Sequence, residues 1–74
     1  MRSEVDMVLT IELDREEDGR WIAEVVEIPG ALAYGATSHE AKTKAQAIAL
    51  RALADQLEHD ETTTDLSSIT FAAV

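Results

Sequence analysis

Seventy-four residues with fifteen acidic and six basic side chains, a net charge of −9 and no cysteine leave room for one domain, here residues 1–74, and exclude disulfides and thiolate metal sites. The acidic balance argues against direct nucleic-acid binding, because it repels phosphate backbones, and suits a basic protein partner. No apolar run approaches the roughly 20 residues of a bilayer-spanning helix, and the first six residues carry acids where a secretory signal would be basic and then apolar. A cytoplasmic protein without membrane contact is expected.

Met7, Leu9, Ile11 and Leu13 alternate with Val8, Thr10, Glu12 and Asp14, the period of two that marks a strand with one buried face. A charged loop over residues 14–18 follows, closed by Gly19, which can take a positive φ at the last turn position. Residues 20–26 form the second strand, with Trp21, Ala23 and Val25 on one face and Ile22, Glu24 and Val26 on the other. So short a loop cannot cross over, so the pair is an antiparallel hairpin. Ile28-Pro29-Gly30 has the chemistry of a type II turn and returns the chain into a third strand over residues 31–36, where Leu32 and Tyr34 share a face. The small residues Ala31, Ala33, Gly35 and Ala36 call for a close neighbour, such as a helix crossing the sheet.

Thr37-Ser38-His39-Glu40 matches a capping box. A helix is expected over residues 38–59, with Ala41, Ala45, Ile48, Ala49, Ala52, Leu53 and Leu57 recurring at three and four. Ala47, Leu50 and Ala54 widen that stripe beyond what one sheet face needs and are the candidate interface for self-association. Residues 60–65 read as a polar connection and residues 68–73 as a last strand carrying Ile69 and Phe71. The order is β-β-β-α-β, an α+β domain with one long helix on a sheet. A chain this short buries only about 60 % of the surface its unfolded form exposes. With neither disulfide nor metal in view, a homodimer or tetramer is the expected remedy, helped by unpaired sheet edges.

The run Asp18-Gly19-Arg20-Trp21-Ile22-Ala23-Glu24-Val25, then Ile28-Pro29-Gly30, then Tyr34-Gly35-Ala36-Thr37 and Glu40-Ala41 before an alanine-rich helix, resembles the HicB antitoxin family across almost the whole chain. The resemblance implies a partially degraded ribonuclease H fold: a three-stranded antiparallel sheet and a short fourth strand with one long helix. It also implies a role, the steric blocking of a HicA-type toxin, a small basic protein that cleaves messenger RNA. The C-terminal DNA-binding segment of many family members has no counterpart in these residues, so operator binding is not carried over.

The same residues admit other chemistry. Glu12, Asp14 and Glu24 share a sheet face in this reading, which invites comparison with a two-metal nuclease, but a solvated face of an antiparallel sheet explains them better. His39 and His59 have no nucleophile motif beside them. No enzyme, metal or cofactor is therefore expected. Trp21 belongs to the core by its phase with Ala23 and Val25. The candidate partner-binding residues are Glu16, Glu17 and Asp18 in the first loop, Tyr34 on the third strand, and Asp60 and Glu61 after the helix. The expected function is an antitoxin that occludes a small basic ribonuclease. The alternative is an orphan self-assembling domain that binds a ligand or another regulator.

Overall fold

The computed structural model describes residues 3–59 and 64–74. Its elements are β1 (Ser3–Arg15), β2 (Trp21–Val25), β3 (Leu32–Gly35), α1 (Ser38–His59) and β4 (Thr64–Ala73). The α+β class and the β-β-β-α-β order are as expected, and α1 has the expected bounds. The four strands form one sheet in the order β3-β2-β1-β4. β2 runs antiparallel to both β1 and β3, whereas β4 runs parallel to β1. No helix among the described residues is long and apolar enough to cross a membrane.

Turn chemistry sets the hairpin geometry. Gly19, at φ +91°, donates its N–H to Glu16 O at 3.0 Å, and Glu16 N–H bonds to Arg20 O at 2.7 Å. Across the second turn, Ala31 N–H reaches Ile28 O at 3.1 Å with Gly30 at φ +85°, the type II arrangement that Pro29-Gly30 specifies. The β1/β2 ladder ends at Thr10. There Val26 N–H bonds to Thr10 O at 3.0 Å, and the Glu27 carboxylate accepts the Thr10 N–H at 2.7 Å.

Thr37 caps α1, accepting the Glu40 N–H on Oγ1 at 3.0 Å. Glu40 reaches back, to the Ala36 N–H (3.3 Å) rather than to the cap residue itself, and also holds Lys44 at 3.1 Å. The face of α1 turned to the sheet is Ala41, Ala45, Ala49 and Leu53, all buried. These meet Ala23, Val25, Ala31, Leu9 and Ile11 in the core. Gly35 marks the closest approach: a Cβ placed there would fall 2.5 Å from the Ala41 nitrogen. This is the crossing helix that the small residues of β3 called for. Trp21 is half-buried against the same core, with the Arg15 guanidinium 5.7 Å from its ring centroid.

The fourth strand corrects the expectation of a short one: it has ten residues and begins at Thr64. β1 is longer too, starting at Ser3, and the added lengths pair with each other as Ser3↔Thr64, Glu4↔Asp65 and Val5↔Leu66. Their polar residues lack the alternation that reveals a half-buried strand, so period alone does not find them. The register then steps to Asp6↔Ser68, leaving Ser67 as the extra residue of a bulge, beside which Ser68 Oγ donates to Asp6 Oδ1 at 2.9 Å. The helix covers β2 and β3, reaches β1 only marginally, and brings no Cα within 8 Å of β4.

Two outcomes test this packing. Gly35→Ala lowers stability by about 1–3 kcal/mol, as expected for overpacking, read from urea unfolding; an unchanged midpoint contradicts the close approach. The Glu27 carboxyl is held below its ordinary range, first by the Thr10 backbone N–H. That tie therefore adds stability above the unfolded-state carboxyl pKa and is lost as pH falls through the lowered folded value. The Thr10 amide shift in NMR should follow this low titration, and Glu27→Gln should abolish it.

Candidate functional site

Strand alternation sends every second side chain of β1, β2 and β3 away from α1. Pairing then sets Glu12, Glu24 and Leu32 in one cross-strand row, and Asp14, Ile22 and Tyr34 in the next. Among the described residues, no layer covers this side. Leu32 is 40 % exposed and Tyr34 42 %, large fractions for apolar and aromatic side chains on a sheet. A shallow depression of about 490 Å³ opens here, walled by Glu12, Asp14, Glu16 and Glu24 around Ile22, Leu32 and Val74. Among the described residues, no basic side chain lines it.

Glu12 and Glu24 stand directly opposite one another in the antiparallel pair. Cβ atoms of such pairs lie about 4.5–5.5 Å apart, and like charges there destabilise the sheet. The register thus sets two acids opposite each other on this antiparallel face. A basic group docked between the two would relieve their repulsion. The apolar floor beside them would add buried area, so the surface can take a partner that is basic and partly apolar.

The expected partner-binding residues divide. Glu16 is half-buried and its side chain joins the depression. Glu17 is exposed at the turn. Asp18 is engaged within the chain: its Oδ2 holds Arg20 Nε at 2.7 Å, and its carboxyl is lowered from its ordinary value, first by the Arg20 backbone N–H. Tyr34 lies on the open face, with the Arg20 guanidinium 4.6 Å from its ring centroid. Arg20 therefore joins the acidic turn to the sheet face. Asp60 and Glu61 lie outside the described residues. On α1, Leu50 is 44 % exposed, Ala54 is exposed and Ala47 half-buried. Leu57, expected on the core stripe, is instead 53 % exposed, because the sheet does not extend beneath the last turns of the helix.

Sequence reasoning did not assign Glu12, Asp14, Ile22, Glu24, Leu32 or Val74 to a partner. The alternation of β1 and β2 gives the direction of four of them. The gathering of Leu32 and Val74 with them needs the register of two further strands. Among the described residues, no group of three or more His, Asp or Glu is placed to hold a metal ion. His59, exposed at the end of α1, places Nδ1 2.9 Å from Asp55 O and 3.2 Å from Asp55 Oδ1, a helix-terminal arrangement that the dipole favours.

Replacing one acid of the facing pair tests the electrostatic account. Glu24→Lys converts a repulsive cross-strand pair into an attractive one and should raise stability by about 0.5–1 kcal/mol, measured by urea unfolding at low salt. A loss of stability would sink the idea that the two carboxylates oppose each other. Comparisons of the chain with protein-family models, with curated proteins and with solved structures return no match.

Proposed function

We propose that this chain is a HicB-like antitoxin that binds a small basic HicA-type toxin and blocks its access to messenger RNA. The observation that carries the reading is the open sheet face, where Glu12, Asp14, Glu16 and Glu24 surround an apolar floor. A chain of net charge −9 attracts a basic partner from a distance and speeds encounter. Relief of the Glu12–Glu24 repulsion then adds to the contact itself. In this reading the chain contributes shape and charge and no chemistry, so it is not an enzyme, and it acts in the cytoplasm where the toxin meets its RNA. The sequence resemblance supplies the identity of the toxin, and the acidic face supplies a surface suited to it.

A second reading is favoured by a separate observation. Exposed Leu50, Ala54 and Leu57 on α1 and a core in which five of ten buried residues are alanine describe a domain with little burial of its own. Self-association then matters in its own right, and the chain is an orphan oligomer that binds a ligand or another regulator.

The tagged chain, used to capture partners from its host lysate at low salt, separates the two. The antitoxin reading expects a stoichiometric small basic protein that cleaves RNA when freed and is silent in the complex, with affinity falling as salt rises. Glu24→Lys should weaken this complex by about tenfold while stabilising the free chain, a combination that a merely structural role would not produce. Salt-independent affinity, or a captured protein without RNA-cleaving activity, would overturn the antitoxin reading.

A further inference from the structure

The β1/β4 ribbon is the least protected part of the molecule. Parallel strands are almost always covered on both faces, and a two-stranded ribbon is marginal by itself. Here the helix stops short of β4, so Met7, Leu66, Ile69 and Phe71 are only half-buried on the helix side, while Val8 is 59 % exposed on the other. The molecule is correspondingly long, 51 × 21 × 15 Å, with a radius of gyration of 14.0 Å against about 11 Å for a compact chain of this length.

The inner edge of β1 is open as well. Thr10 turns its N–H and C=O toward the β2 side, whereas Ile11 O faces β4 and accepts the Val74 N–H at 3.1 Å. By alternation, Val8, Asp6 and Glu4 present their backbone groups on the β2 side. Beyond Thr10, no described strand pairs with that edge. Of the other edges, β3 has only four residues and the outer edge of β4 carries the Ser67 bulge near its start, and short or bulged edges are familiar protections.

We infer that two copies of this chain associate through this edge, β1 pairing antiparallel with β1 of the second copy across a twofold axis near Asp6–Val8 to give one continuous sheet. This does not rest on the antitoxin reading. An isologous contact needs a surface complementary to itself, and an antiparallel strand edge is one, because each copy offers the same donors and acceptors. The pairing also sets Met7 beside the partner's apolar side chains on the uncovered helix-side face. The chain also has surface to spare. The chain exposes 5188 Å², against about 4,500 Å² for a compact monomer of 8.1 kDa by the usual surface scaling. The excess of about 700 Å² is spread over the elongated chain, and a second copy on this edge covers part of it.

Charge gives the dimer a signature opposite to that of toxin binding. Glu4 and Asp6 are exposed and meet their own copies near the axis. Salt therefore strengthens self-association by screening like charges, whereas it weakens the grip on a basic partner.

Sedimentation velocity of the purified full chain alone, over a range of concentration and salt, tests the proposal. The expected result is a dimer that tightens several-fold as salt rises. Val8→Pro removes an N–H that points to the free edge, where proline is tolerated within the sheet. It should weaken the dimer about tenfold or more, the loss of two symmetric hydrogen bonds, with helical circular dichroism unchanged. Asp6→Asn should tighten the dimer at low salt without disturbing the fold, which keeps the proposal testable if Val8→Pro fails to fold. A monomer at every concentration leaves the edge to another protein's strand and overturns the inference. So does a dimer that loosens with salt, one that Asp6→Asn fails to tighten, or one that survives Val8→Pro and is lost in Leu50→Lys.

Discussion

The close seating of α1 on β2 and β3 is the contact on which the rest of this structure depends. It is made of small side chains on both sides: Ala41, Ala45 and Ala49 on the helix, Ala23 on β2, Gly35 on β3 and Ala31 in the turn between them. Alanine lets the two backbones approach, and Gly35 lets the helix start almost on top of β3. The consequence is a thin core. Among the described residues, only Leu9, Ile11 and Val25 are large and fully buried, so hydrophobic stabilisation, roughly proportional to apolar area removed from water, has few large contributors. A domain built this way depends on its caps and turns, and on whatever covers the surface the helix leaves bare.

What it leaves bare is specific. One helix seated on two strands of a four-stranded sheet leaves β4 and the first half of β1 only half-covered on the helix side and the opposite face open. The opposite face takes the acids of β1 and β2, because the core claims the other half of their alternation. Glu12 and Glu24 then face each other as a by-product of register. A fold that only had to be stable would gain by changing either one, and a fold that meets a basic surface gains by keeping both. Function at the expense of stability is a common pattern at binding sites.

The two bare regions have opposite electrostatic requirements. A basic partner on the acidic face would be held most strongly at low salt, and pairing between two chains of charge −9 would be strongest at high salt. Because the face and the β1 edge are different parts of the sheet, the two contacts are compatible in one assembly. A twofold pair of chains would present two acidic faces.

Local chemistry made much of this fold legible. Gly19, Pro29-Gly30 and the Thr37–Glu40 cap each satisfy a requirement that only a few residues meet, so the two turns and the start of α1 fall where the sequence places them. The period of two in residues 7–14 and 20–26 also gave the direction of Glu12, Asp14, Ile22 and Glu24, which is most of the candidate site. Tyr34 and Glu16, singled out from the sequence, lie at the open face. The pairing of Asp18 with Arg20 depends on the conformation of the turn and not on charge count.

The sequence by itself determined the class, the element order, the helix and its small-residue face, since each follows from interactions within a few residues. Tertiary structure alone decided that β4 is long and lies parallel to β1, that Leu32 and Val74 join the acids in one depression, and that the helix covers only half the sheet. Those are pairings between residues far apart in the chain. Alternation tells which side of a strand a residue takes, but only the register between strands tells what stands next to it.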